Sequence, residues 1–133
     1  MREIKFRGKT GTFDGSWAYG CLLVDKTHYE TARYEIVENP LFPENGQVVS
    51  LESVGQYIGQ HDALDREIYE GDIVYFGNNQ YSIQYLEKYG RFAATAPERG
   101  VVFTVFSFNK CIVVGNMTDG VEKVWMDAMG ESK

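Results

Sequence analysis

The feature that most constrains this chain is a strict two-residue alternation after Asp72. Residues 73–76 read as one strand, Gly77-Asn78-Asn79 as a turn, and residues 80–86 as a second strand. In that second strand Tyr81, Ile83 and Tyr85 share one face and Gln80, Ser82 and Gln84 the other. Successive side chains of a strand point to opposite faces, so the pattern predicts a hairpin whose tyrosine face points inward. No long amphipathic helical pattern, internal repeat or low-complexity segment occurs elsewhere, and the fold class expected is mainly β.

The same grammar runs through the rest of the chain. Residues 4–7 alternate apolar and charged side chains, and Asp14-Gly15 is a turn signal that closes a hairpin onto residues 17–24. There Trp17, Tyr19, Cys21 and Leu23 fall on one face and Ala18, Gly20, Leu22 and Val24 on the other, as in a central strand covered on both sides. Residues 28–37 form a third candidate strand, after which Asn39-Pro40, Pro43 and Asn45-Gly46 mark a loop. Ser50 is placed to cap a short helical turn at 50–53, which Gly55 cuts off. Further strands are expected at 92–94, 101–108 and 111–114, with turns at 97–100 and Asn109-Lys110; residues 122–129 suit a terminal helix or a last strand.

A chain of 133 residues suits a single domain with one hydrophobic core, and nine tyrosines, eight phenylalanines and fourteen glycines fit strands and tight turns. Charges interrupt every apolar residue of the first nine positions, which excludes a signal-peptide pattern there, and residues 101–108 are too short to span a membrane. The expected location is cytoplasmic. Cys21 and Cys111 make no Cys-x-x-Cys pair and read as buried free thiols. A net charge of −6 is adverse to nonspecific nucleic-acid binding and suits a protein partner.

One segment carries more than local grammar. Gln56-Tyr57-Ile58-Gly59 and Ile68-Tyr69-Glu70-Gly71-Asp72-Ile73-Val74, joined by a polar loop, resemble the YopX family, small proteins of phages and prophages. The runs EIKFRG at 3–8, Trp17-Ala18-Tyr19-Gly20 and Val114-Gly115-Asn116 match that family in order, so the resemblance covers nearly the whole chain. It departs at Leu64-Asp65, where members commonly carry Asn-Gly. The resemblance implies a single domain over 1–133, with an N-terminal β portion over about 1–54 and an SH3-like barrel of short antiparallel strands over about 55–120. It implies no established enzyme chemistry and no cofactor. In physical terms Gly71 permits a tight turn after Glu70, Asp72 can bond the amides of that turn, and Ile73 and Val74 begin a strand.

Three candidate sites can be read from residue types. His61, Asp62, Asp65, Glu67, Glu70 and Asp72 form the densest patch of metal-ligand or acid–base groups. Their spacing fits neither an EF-hand nor a His-Glu-x-x-His helix, so a solvated polar loop is preferred to a metal-dependent enzyme site and no metal is expected. His28 with Cys21 or Cys111 gives no catalytic spacing, and Gly8-Lys9-Thr10 lacks the upstream glycine of a phosphate-binding loop. Tyr57, Tyr69, Tyr75, Tyr81 and Tyr85, with Phe76, Phe92 and Lys88, offer a stacking surface for a single-stranded nucleic acid, weighed against a plain aromatic core. Tyr81, Tyr85, Arg91 and Arg99 are its possible binding surface.

The function expected is that of a non-enzymatic accessory protein in a bacterial host cell. It would bind a host or phage protein through a barrel face or an exposed strand edge, and edge pairing between copies would make a homo-oligomer.

Overall fold

A computed structural model describes residues 3–11, 15–26, 32–96, 101–103 and 108–122. They contain twelve antiparallel strands and three single-turn 3-10 segments, with no α-helix and no helix long and apolar enough to cross a membrane. The chain is thus mainly β, in two compact units that divide between Tyr57 and Ile58.

The first unit contains β1 (Phe6–Lys9), β2 (Trp17–Asp25), β3 (Arg33–Val37), β4 (Gln47–Val48) and the start of β5 (Gly55–His61). Their order across the sheet is β4-β3-β2-β1-β5. β2 pairs β1 with Arg7 opposite Tyr19 and pairs β3 with Cys21 opposite Val37, so it is central as its two-sided apolar pattern predicts. Two glycines set close approaches. A Cβ on Gly8 would lie 2.8 Å from the Val49 side chain, and one on Gly20 would collide with the Val37 carbonyl oxygen. The expected turn after Ser50 is present as a 3-10 segment at Leu51–Ser53, but Ser50 makes no side-chain cap bond. Its hydroxyl donates instead to Ser53 Oγ, which accepts the Lys9 N–H at 2.7 Å and ties the turn to β1.

In the second unit the end of β5 has β6 (Glu67–Tyr69) as its neighbour. A second sheet runs β10-β9-β8-β7-β11-β12, formed by β7 (Asp72–Phe76), β8 (Asn79–Leu86), β9 (Arg91–Ala96), β10 (Val101–Phe103), β11 (Ile112–Asn116) and β12 (Gly120–Val121). The β7–β8 turn is a two-residue loop, Gly77-Asn78, with positive φ at both positions (56° and 69°), the primed geometry that matches strand twist. Ile58, Ile68, Val74, Tyr81, Ile83, Ala94, Ala96 and Cys111 form the core of this unit.

Three expectations change. Among the described residues both sheets stay open and no closed barrel forms; the terminal strands β4, β6, β10 and β12 are only two or three residues long. They offer too few backbone groups to close a cylinder or template a long edge pairing. Tyr81 and Ile83 point inward, but Tyr85 is 45% exposed. β7 pairs only with Asn79 to Ser82, so the end of β8 that carries Tyr85 lies beyond β7. Cys21 is half-buried rather than buried, whereas Cys111 is fully enclosed. The expected turns at Asp14 and 97–100, the start of the third strand and the C-terminal segment from 123 lie outside the described residues.

Candidate functional site

The acidic loop is built around a buried carboxylate. Asp62 is 3% exposed. Its Oδ1 accepts the Leu64 and Arg66 N–H groups, both at 2.9 Å, while Oδ2 accepts the Val113 N–H at 3.0 Å and Arg66 Nε at 3.1 Å. Arg66 also brings Nη2 to 2.9 Å of Oδ2 and donates from it to the Val113 carbonyl. Burial alone pushes the Asp62 carboxyl up, but the Val113 and Arg66 donors and the Arg66 charge outweigh it and hold it below 3.8. All four lone-pair positions of this carboxylate are thereby occupied. His61 and Asp65 are exposed, Glu67 and Glu70 half-buried, and no group of three potential metal ligands converges among the described residues. The solvated loop expected here is instead a clasp from the 62–66 turn to β11.

The motif residues take structural places. Gln56 pairs with Phe6, Tyr57 is buried under Lys5 Nζ (5.2 Å), and Gly59 has φ 84°. Ile68, Tyr69 and Val74 are buried, Ile73 is half-buried, and the Tyr69 hydroxyl donates to Glu67 Oε1 at 3.0 Å. After Glu70 the chain turns at Gly71 (φ 93°), whose N–H donates to the Ile83 carbonyl and whose carbonyl accepts the Met117 N–H, both at 2.7 Å. Asp72 Oδ2 accepts the Tyr69 N–H at 2.8 Å across the turn. Cys111 is enclosed: burial, then the Asp62 and Asp72 charges, push its thiol up to about 11, and it donates to the Phe108 carbonyl at 2.9 Å. His28 lies outside the described residues.

The expected stacking surface is divided. Tyr81 belongs to the core, and Arg99 lies outside the described residues. Tyr85 packs edge-on against Phe92 with centroids 5.2 Å apart. In the adjoining β8–β9 turn, Lys88 Nζ and the Arg91 guanidinium sit 5.7 and 5.9 Å from the Tyr89 ring. Tyr85 and Arg91 therefore belong to a small aromatic–cationic tip without Tyr81.

A larger feature occupies the first unit, which holds seven of the eleven large apolar side chains left exposed among the described residues. A groove of about 880 Å³ is lined by Ile4, Lys5, Trp17, Tyr19, Glu38 and Phe42, with amide side chains at Asn39, Asn45 and Gln47. The β1–β2 register sets its aromatic side: Trp17 is opposite Lys9 and Tyr19 opposite Arg7, and the Trp17 ring lies 4.7 Å from the Arg7 guanidinium and 5.6 Å from Lys9 Nζ. The other side is the 39–45 loop. Asn39 Oδ1 accepts the Leu41 N–H (3.0 Å) and the Asn39 carbonyl accepts the Phe42 N–H (2.9 Å), after which Pro43–Asn45 forms a 3-10 turn. With Pro40 and Pro43 also fixing φ, the loop holds Leu41 (81% exposed) and Phe42 (50% exposed) out in solvent. The sequence marks these residues as a loop; its one functional signal is an adjacent apolar pair between two prolines, a poor place for apolar groups unless something covers them.

A family model described as YopX protein matches residues 5–122, a span that includes all twelve described strands. No curated protein matches the chain at significant similarity.

Proposed function

The chain belongs to the YopX family, and from that premise we propose that it is a non-enzymatic accessory protein of phage or prophage origin that works in the bacterial cytoplasm by binding another protein through the groove of its first unit. The observation that carries this reading is the pair Leu41 and Phe42, held outward beside the groove by a turn already formed by Asn39 and Pro43. Ordering a loop on binding costs affinity, and a loop ordered beforehand avoids that cost. Aromatic anchors on such a scaffold are the residue types that dominate protein interfaces.

Chemistry of its own is a poorer fit. Asp62, a buried acid of the polar loop, spends its lone pairs on Arg66, Leu64 and Val113, and Cys111 stays a thiol at neutral pH. Strand addition fits less well than groove binding because the described edge strands are short. We also read the second unit as an SH3-like barrel left open at its edges. Its support is the antiparallel run β7 to β10, followed by the 3-10 turn at Phe108–Lys110 that returns the chain to β7 as β11.

Affinity capture with the tagged protein from a host lysate, with and without nuclease, tests the main reading. A nuclease-resistant partner that rebinds the pure protein and is lost with Leu41→Ser plus Phe42→Ser supports it. Equal recovery by the double variant removes the groove from the reading. A second reading, single-strand binding at the Tyr85, Tyr89 and Arg91 tip, is favoured by the two cations on the Tyr89 ring. It predicts oligonucleotide binding at low salt that Tyr89→Ala abolishes.

A further inference from the structure

We propose that the groove of the first unit selects a basic segment of its protein partner, placing an arginine or lysine side chain against Glu38 and an apolar neighbour of that residue against Tyr19 and Phe42. This rests on the protein-binding reading and adds the chemistry of the segment.

The argument begins at Gly20. β2 and β3 pair with Cys21 opposite Val37, so the chain leaving β3 passes beside Gly20 and Tyr19. A Cβ on Gly20 would lie 3.0 Å from the Glu38 Cα, so only glycine lets Glu38 seat this close to β2. Glu38 is exposed, lines the groove, and makes no ion pair or side-chain hydrogen bond among the described residues. The other carboxylate among the described lining residues, Glu3, is also exposed and lies 3.4 Å from Lys5 Nζ, the one ammonium among them. Among the described lining residues two carboxylates stand against one cation, a negative balance within a chain whose formal charge is −6.

The neutral lining completes the recognition. Tyr19 and Phe42 line the groove and are each about half exposed, and aromatic faces attract a guanidinium or ammonium as well as apolar groups. Asn39, Asn45 and Gln47 supply both donors and acceptors, which suits the backbone of an extended segment. An acidic segment or a nucleic-acid strand would instead bring negative charge against Glu3 and Glu38. Arg7 and Lys9 keep their charges over the Trp17 ring but do not line the groove, so the charges a ligand seated in it touches are those of Glu38, Glu3 and Lys5.

The test is fluorescence anisotropy with the full chain and three labelled, capped pentapeptides that alternate leucine or phenylalanine with arginine, glutamine or glutamate. The expected result is saturable binding of the arginine peptide, at least tenfold weaker binding of the glutamine peptide and none of the glutamate peptide. Glu38→Gln, an exposed and nearly isosteric change, should weaken the arginine peptide fivefold or more with melting unchanged, and should leave the glutamine peptide alone. Added salt should weaken the arginine peptide only. Equal binding of all three peptides, abolished by Phe42→Ser, overturns the charge selection while keeping the groove as a protein-binding site. Tighter binding of the glutamate peptide or of a single-stranded oligonucleotide, or an unaltered arginine affinity in Glu38→Gln, overturns the proposal. So does binding of none of the peptides, a result that leaves the capture experiment to decide the broader reading separately.

Discussion

Asp62 and Arg66 close the turn between β5 and β6 on themselves, with Arg66 Nη2 2.9 Å and Nε 3.1 Å from Asp62 Oδ2, and both residues reach across to Val113. The pair therefore joins a local turn to a strand about fifty positions later in the chain. Asp62→Asn would replace one acceptor oxygen by an NH2 that faces the Val113 N–H and the guanidinium. The expected loss is about 2–3 kcal/mol, typical of stranding buried hydrogen-bonding groups. Arg66→Ala should cost less, about 1–2 kcal/mol, because Asp62 keeps three backbone donors and the arginine is part-exposed. Urea denaturation of the two variants checks the order.

The same carboxylate gives an acid dependence. Its folded-state value is depressed, so the unfolded chain binds a proton first as the pH falls. Its contribution is complete above the unfolded value of about 4 and disappears as the pH falls through the lower folded value. The melting temperature should fall below pH 4, and Asp62→Asn should flatten that part of the profile.

Cys111 acts with the opposite sense at the alkaline end. Its thiol is pushed up to about 11 from 9.0, so the unfolded chain loses the proton first. Stability should be insensitive to this group at neutral pH and decline from about pH 9 towards 11. Cys111→Ala should remove that decline while costing stability through the cavity it leaves. At pH 8 a thiol reagent should label Cys21, which is half-buried, well before Cys111, which should react only on unfolding.

Gly71→Ala should destabilise by about 1–2 kcal/mol, since φ 93° is strained for any residue with a Cβ. Both backbone groups of Gly71 are bonded, to Ile83 and Met117, so the turn cannot relax without breaking one of them. A fall in melting temperature larger than that for alanine at the exposed Gly77, whose added Cβ would meet nothing within 4 Å, is the outcome to look for.

Legibility in the sequence followed the range of the interactions. The 73–86 hairpin was readable because a period of two and the Gly77-Asn78 pair are local, and the structure differs there by one residue at the start of β7 and one at the start of β8. Tyr85 was misread because alternation tells which face a residue shares but not where the neighbouring strand ends. Asp62 looked solvated because four acids and a histidine lie near it in sequence, yet one of its decisive partners is Val113. The groove was hidden for the same reason: only the β2–β3 register, with Gly20 open to Val37 and Glu38, brings the loop at 39–45 beside the aromatic residues of β2.

The turn fixed by Asn39 and Pro43 has a consequence for how such a protein can change. Leu41 and Phe42 are not among the buried core residues, so replacing them alters what the surface meets without emptying a core position. On the proposed protein-binding reading, binding preference and foldability are set by separate residues, and the loop could be rewritten for a new partner while the strands that carry it stay as they are.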